Sequence, residues 1–344
     1  TRYIGDWSSD VCSSDLLSMV SLGSISSLEQ WLFINGLLLT TGSAMIGNLS
    51  VNVTLGKWFV EKRGKVVALA GMGISLAGIV LPPVATLLVD NFGWRQSWRM
   101  LGAISLLMTL PTAFAVRRRP EDYGQHPDGH SNEDVAAGRG VATRRGYENS
   151  MTRAQAMRTV SFYLLVLAFG LFQISITVML TQTIPLMTDA GYSRLVASSM
   201  ISLASVPAFL SKPFWGIMID RYDPKKLAGI GAAITGTSII FIVWSIGQQF
   251  DVWVYAAFLL MGIGWGGLLP LQEVIWASVF GRRYLGSVRS TAMPFTFGMS
   301  ALGPILVASY YDLAGSYDLS LLVIAACNLA SAFMLYFLKT HSSR

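Results

Sequence analysis

Two charged side chains interrupt long apolar stretches: Lys212 in FLSKPFWG and Glu273 in PLQEVIWASVFG. At the centre of a membrane-spanning helix a charge costs about 2.5–3.5 kcal/mol on insertion scales, so each needs water, a partner or a function. Both lie roughly two turns before the end of their stretch, hence at similar depth. Lys212 can supply a point charge to a carboxylate solute, or snorkel to the headgroups. Glu273 can exchange a proton or act as a static partner of Lys212, or of Arg282 and Arg283. The static role is favoured, because no second sign of proton chemistry occurs in the sequence. Neutral groups could complete a solute site: Asn35, Thr41 and Asn48 in residues 31–56, and Gln173, Thr177 and Gln182 in residues 160–188. Trp265, in GIGWGG, offers an aromatic wall or core packing. Four-residue spacing puts Asn48 with Asn52, and Gln173 with Thr177, on one helical face. Such groups also join helix to helix, so both roles stay open for each.

The elements that must carry these residues are written in the composition. The chain of 344 residues is 53% hydrophobic and 13% charged, with mean hydropathy +0.52. Soluble domains are about a quarter charged, so lipid is the expected solvent. Nine apolar runs are near or above the length that crosses a bilayer core: 31–56, 66–89, 100–116, 160–188, 195–219, 227–250, 252–281, 290–311 and 319–338. A tenth, 16–28, is too short to cross. The expected fold class is an all-α integral membrane protein.

Charge placement sets the expected orientation. With the segment after residue 56 cytoplasmic, the basic clusters at Lys62, Arg63 and Lys65, at Arg117, Arg118 and Arg119, and at Arg282 and Arg283 all fall on that side. Outside, leaving aside Arg2, only Arg95, Arg99 and Arg194 remain. The net charge of +6 is therefore a positive-inside signal with a cytoplasmic C-terminus, and no nucleic-acid partner is expected. Cys12 and Cys327 form no evident pair, and His126, His130 and His341 all lie outside the runs, so no metal site and no cofactor is expected. Paired intramembrane carboxylates, a His pair and a phosphate loop are absent from the sequence, which argues against an enzyme.

An internal repeat relates the two ends of the chain. WFVEKRGKVVALA (58–70) aligns with VFGRRYLGSVRST (279–291), and DNFGWRQSW (90–98) with DLAGSYDLS (312–320). Phe59 to Phe280 is an offset of 221 and Asp90 to Asp312 of 222, so the register holds over three runs. Residues 31–116 are then the counterpart of 252–338, and the three runs at 160–250 need a counterpart lying largely before residue 1. The expectation is nine complete transmembrane helices plus the end of a tenth, truncated at the N-terminus. Residues 4–16, IGDWSSDVCSSDL, resemble a translated sequencing adapter, and residues 1–16 are expected to be a non-native leader. The expected organisation continues with the remainder of a first six-helix half (17–116), a polar cytoplasmic loop (117–159), a second six-helix half (160–338) and a cytoplasmic tail (339–344).

GIMIDRYDPKKLAGIG (216–231) joins two runs through a very short basic turn. Gly216, Asp220, Arg221, Lys225 and Lys226 resemble the G-x-L-x-D-R-x-G-R-K turn of the major facilitator superfamily, with Asp223 and Pro224 replacing the usual Gly and its neighbour. By its chemistry Asp220 can cap the free amides of a neighbouring helix, while Gly216 permits close helix approach; together they would form a conformational latch. KWFVEKRGKVVALAGMGISLAGIVLPPV (57–84), RRRPEDYGQHPDG (117–129) and FGRRYLGSVRS (280–290) are similar to the bacterial monocarboxylate-porter branch. That resemblance implies a major facilitator fold of twelve helices with a central cavity. It also implies a secondary carrier of a small organic anion in a bacterial inner membrane, coupled to protons or exchanging, with no oligomer required. Monocarboxylate porters commonly carry Arg-Pro where this chain has Lys212-Pro213, and their animal members an Asp four residues earlier, where this chain has Ala208. A carrier of another solute, or a membrane sensor without transport, are the alternatives.

Overall fold

In lipid, backbone polar groups must be satisfied within their own segment, so apolar runs fold as helices. A computed structural model of the chain describes residues 18–41, 43, 51, 54–55, 58–59, 63–115, 123, 129, 150–219, 221–281 and 283–338. Among the described residues every regular element is helical. They are α1 (Leu28–Trp31), which passes into a π-helical stretch (Leu32–Leu39), α2 (Arg63–Ala115), α3 (Arg153–Ala156), α4 (Val160–Asp189), α5 (Arg194–Ile219), α6 (Pro224–Gly247), α7 (Asp251–Phe280), α8 (Leu285–Ala314) and α9 (Asp318–Phe337). Seven helices among the described residues are long and apolar enough to cross a membrane, against nine expected runs. Runs 66–89 and 100–116 share α2, which is interrupted at Gly93 (φ 74°, ψ 160°) inside FGWRQSW, a conformation glycine adopts without a Cβ penalty. Run 31–56 extends into residues outside the described set. So do the expected leader (1–16), most of the 117–159 loop and the 339–344 tail.

The chain divides into two compact units, Thr1–Arg63 with Val84–Gly140, and Gly64–Pro83 with Val141–Arg344. In the first, arginines of α2 hold the turn that follows the helical residues 18–22. Arg95 Nη2 donates to Ile25 O at 3.3 Å and Arg99 Nη2 to Ser24 Oγ at 3.1 Å.

The second unit contains α3 to α9 and the 64–83 part of α2. Its helix starts are capped by side chains. Thr159 Oγ1 accepts from Phe162 N at 3.3 Å to open α4, and Asp223 accepts from Lys225 N at 3.0 Å to open α6, with Pro224 in the first turn. Gly315 (φ 69°) closes α8. One apolar cluster gathers around Phe162, Trp276 and Phe280, and another around Met179, Met200 and Phe258. Lipid tails are as apolar as these side chains, so what holds the helices together is close packing and hydrogen bonding. At its tightest, a Cβ on Gly262 of α7 would lie 1.8 Å from the Ala204 carbonyl of α5, so only glycine fits there. Between α4 and α9, Ser175 Oγ donates to Asn328 Oδ1 (3.2 Å), and Ser331 Oγ to Ala168 O (2.8 Å).

Candidate functional site

The 64–83 segment of α2 packs antiparallel on α5 through a stripe of small residues. Ala68 faces Gly216, Gly71 and Ser75 face Lys212, and Gly78 faces Ser205. The spacing i, i+3, i+7, i+10 keeps Ala68, Gly71, Ser75 and Gly78 on one face. At Gly78 the approach is close: a Cβ would sit 2.4 Å from Ser205 Oγ. At Gly216 a Cβ would stay 3.8 Å from Ala68, so this position does not need glycine for the approach expected of it.

Lys212 lies inside this seam, 3% exposed. Its ammonium donates to Gly71 O at 2.6 Å and to Ser75 Oγ. Among the described residues no carboxylate lies within ion-pair reach of Lys212, and its partners are two neutral oxygens. This corrects the expectation that Lys212 could pair with Glu273, and it excludes snorkelling, because the side chain turns into a helix seam. Leu269 of α7 also reaches this point, with Cδ1 3.8 Å from the Cβ position of Gly71.

Glu273 has a partner that the sequence did not offer, while Arg282, one of those it did, lies outside the described residues. Arg289 Nη2 of α8 stands 2.9 Å from Glu273 Oε1, both side chains nearly buried. The guanidinium carbon also lies 5.7 Å from the centre of the Trp276 ring. In the sequence Arg289 stands just before the apolar run 290–311, outside it. Helix α8 begins at Leu285, which brings Arg289 one turn inside.

The neutral candidates are distributed as follows. Thr177 of α4 hydrogen-bonds Ser300 of α8, and Gln182 Nε2 donates to Pro304 O at 3.4 Å, so both join α4 to α8. Gln173 is half-buried one turn before Thr177 and makes no side-chain hydrogen bond among the described residues. Trp265 of α7 packs against both apolar clusters, and its buried indole N–H has no partner among the described residues. In the first unit, Asn35 sits in the π-helical stretch, where its carbonyl accepts from Thr40 Oγ1 at 2.8 Å, and Thr41 is exposed. Asn48 lies outside the described residues.

Of the expected latch, Asp220 also lies outside the described residues, and Arg221 is exposed. The lysines of the turn reach the end of α9: Lys225 Nζ donates to Leu338 O at 3.0 Å, and Lys226 Nζ lies 5.8 Å from the Tyr336 ring centre. A cation at a helix C-terminus is favoured by the helix dipole. Lys225 also lies 3.7 Å from Asp223 Oδ2, so the unusual Asp223 serves both as cap and as counter-charge.

At the opposite ends of the helices, aspartates and tyrosines pair. Tyr311 Oη donates to Asp189 Oδ1 at 2.7 Å and stacks on Tyr317 at 4.3 Å. Tyr192, in the turn between α4 and α5, hydrogen-bonds Asp251 at the start of α7. Burial, then the Asp251 carboxylate, push the Tyr192 phenol up to about 12.

A sequence model of the Major Facilitator Superfamily matches residues 12–205 and 164–344. The chain is 23% identical over 326 residues to monocarboxylate transporter 12-B of Danio rerio, covering 90% of this chain and 68% of that protein. It is 20% identical over 267 residues to the oxalate:formate antiporter of Oxalobacter formigenes, covering 76% and 60%. The chain thus spans between about half and two thirds of the length of the curated relatives it matches. The fold is similar to that of the fucose:proton symporter of E. coli, with TM-score 0.62 at 13% identity over 96% of this chain and 83% of that one.

Proposed function

Because the chain belongs to the major facilitator superfamily, we propose that it is part of a secondary carrier that moves a small organic anion by alternating access, with Lys212 as the cationic anchor for the solute. The support comes from charge balance in the second unit. Glu273 is matched by Arg289, whereas the Lys212 ammonium is buried on neutral oxygens, with no carboxylate in reach among the described residues. A buried cation so placed is stabilised by an incoming anion, and the amine provides a point charge for a carboxylate. The names of two relatives, a monocarboxylate transporter and an oxalate:formate antiporter, agree with a carboxylate solute.

On this reading residues 17–116 and 160–338 belong to two halves of the carrier, the basic turns face the cytoplasm of a bacterial cell, and the α2–α5 seam joins the halves beside the solute. Glu273 is the static partner of Arg289, and Gln173 and Trp265 offer polar groups that are without a side-chain hydrogen bond among the described residues. The test is uptake of formate, L-lactate and oxalate into proteoliposomes. Lys212→Ala removes uptake, and Lys212→Arg, which keeps the charge, retains part of it. Undiminished organic-anion uptake by Lys212→Ala overturns the proposal.

A further inference from the structure

Most of the described hydroxyl groups inside this bundle follow one habit, and Ser75 departs from it. Most serines and threonines inside the helices return their hydrogen to a carbonyl three or four residues back, as Ser205 does to Ile201 O (2.8 Å), Ser199 to Leu195 O (2.7 Å) and Thr235 to Gly231 O (3.1 Å); Ser331 donates across to Ala168 O instead, and Ser202 and Ser211 have no partner among the described residues. The carbonyl four residues before Ser75 is Gly71 O, and Lys212 Nζ occupies it at 2.6 Å. The Ser75 oxygen itself accepts from the same ammonium. An ammonium has three N–H donors and a hydroxyl has one O–H. Two donors of Lys212 are used and one remains, while the Ser75 hydrogen has no acceptor among the described residues. Both side chains are more than nine-tenths buried, Lys212 at 3% and Ser75 at 7% exposure.

The result is a pair of adjacent unused donors, one charged and one neutral, with a net positive charge. Gly71 O and Ser75 Oγ together hold the ammonium beside the hydroxyl, so the remaining N–H of Lys212 and the Ser75 O–H belong to two groups in direct contact. A carboxylate has two acceptor oxygens side by side and fits such a pair, whereas the ammonium alone offers no preference for planar, two-pronged anions. We propose that Ser75 is a second solute ligand, its hydroxyl and the remaining N–H of Lys212 donating to the two oxygens of one carboxylate. This rests on the reading of Lys212 as the anion anchor and extends the site onto α2, a helix with no expected site residue.

The experiment is equilibrium binding of radiolabelled formate, L-lactate and oxalate to the whole protein in lipid nanodiscs, with melting temperature measured alongside. Ser75→Ala raises Kd for the bound anion on the order of 10-fold, the loss of one hydrogen bond to a charged group. The melting temperature stays near that of the wild type, and Ser75→Thr, which keeps the hydroxyl, restores affinity. An unchanged Kd in Ser75→Ala overturns the proposal. So does a lower Kd, which would make Ser75 a competitor that the solute displaces. Weakened binding that Ser75→Thr fails to restore assigns the residue to packing and also overturns it. If Lys212→Ala binds as well as the wild type, or the wild type binds none of the three anions, the organic-anion reading falls first and this inference with it. A Lys212-dependent affinity indifferent to Ser75 sinks the inference alone.

Discussion

Replacing Glu273 by Gln separates a structural ion pair from a proton-exchanging carboxyl. The Arg289–Glu273 contact is 2.9 Å between side chains about one-tenth exposed, so Glu273→Gln leaves a guanidinium with little water to turn to. Removing one partner of a buried pair costs about 3–5 kcal/mol, because the other charge is stranded. The Trp276 face, 5.7 Å from the guanidinium, is in place before and after the substitution, so it offsets none of this loss. The expected loss is therefore about 3–5 kcal/mol, or about 6–10 °C in melting temperature at about 2 °C per kcal/mol for a large chain. The double variant Glu273→Leu with Arg289→Met removes both charges, and its stability returns to within about 1 kcal/mol of the wild type. The assay is thermal unfolding of the purified protein in one detergent, with Glu273→Leu and Arg289→Met also measured singly so that, with the wild type and the double variant, they form a double-mutant cycle. In parallel, proton-driven accumulation and counterflow exchange are measured in proteoliposomes. A single variant that melts with the wild type, loses proton-driven accumulation and keeps exchange would falsify the static assignment.

Other positions give sharper or smaller effects. Gly262→Ala forces a Cβ to 1.8 Å from a backbone carbonyl, and the variant fails to elute as a monodisperse species on size exclusion; normal elution and melting contradict the close approach. Asp223→Ala removes the α6 cap and the Lys225 counter-charge, lowering stability by about 1 kcal/mol without altering solute affinity. Tyr192 has its phenol raised from 10.0 to about 12 in the folded state, so its contribution is complete below pH 10 and is lost as pH rises towards 12. The melting temperature of the wild type should therefore fall more steeply over that window than that of Tyr192→Phe, and parallel curves would refute the Asp251 contact.

The helices were legible because hydropathy reports on one element at a time. Run 160–188 became Val160–Asp189 and run 319–338 became Asp318–Phe337, each within a residue or so. Where a boundary had been drawn at a charge it moved: α8 took in both Arg289 and Asp312, because a helix end tolerates charge that a hydropathy window rejects. The break in α2 at Gly93 replaced an expected ten-residue connection, since one left-handed glycine turns the backbone with no loop. The contacts of the site were less accessible. Lys212 and Glu273 stood out by cost alone, but their partners depend on how helices are rotated about their axes, which no single element records. Gly71 and Ser75 carried no signal in the sequence, since small residues recur throughout these runs and only the packing of α2 on α5 sets these two apart. Thr177 and Gln182 had two open roles in sequence, and hydrogen bonds to Ser300 and Pro304 show them joining α4 to α8.

The two intramembrane cations also differ in when their partners are synthesised. Glu273 and Arg289 are close in sequence and enter the membrane within a few seconds of one another at about 5–20 residues per second. Lys212 follows Ser75 by 137 residues and Gly71 by 141, on the order of ten seconds of chain growth at that rate. The oxygens that receive the ammonium are thus already in the bilayer when α5 leaves the ribosome. A chain with α2 moved after α5 would have to insert Lys212 with nothing waiting for it, so the order of helices along the gene is itself part of how this lysine is accommodated.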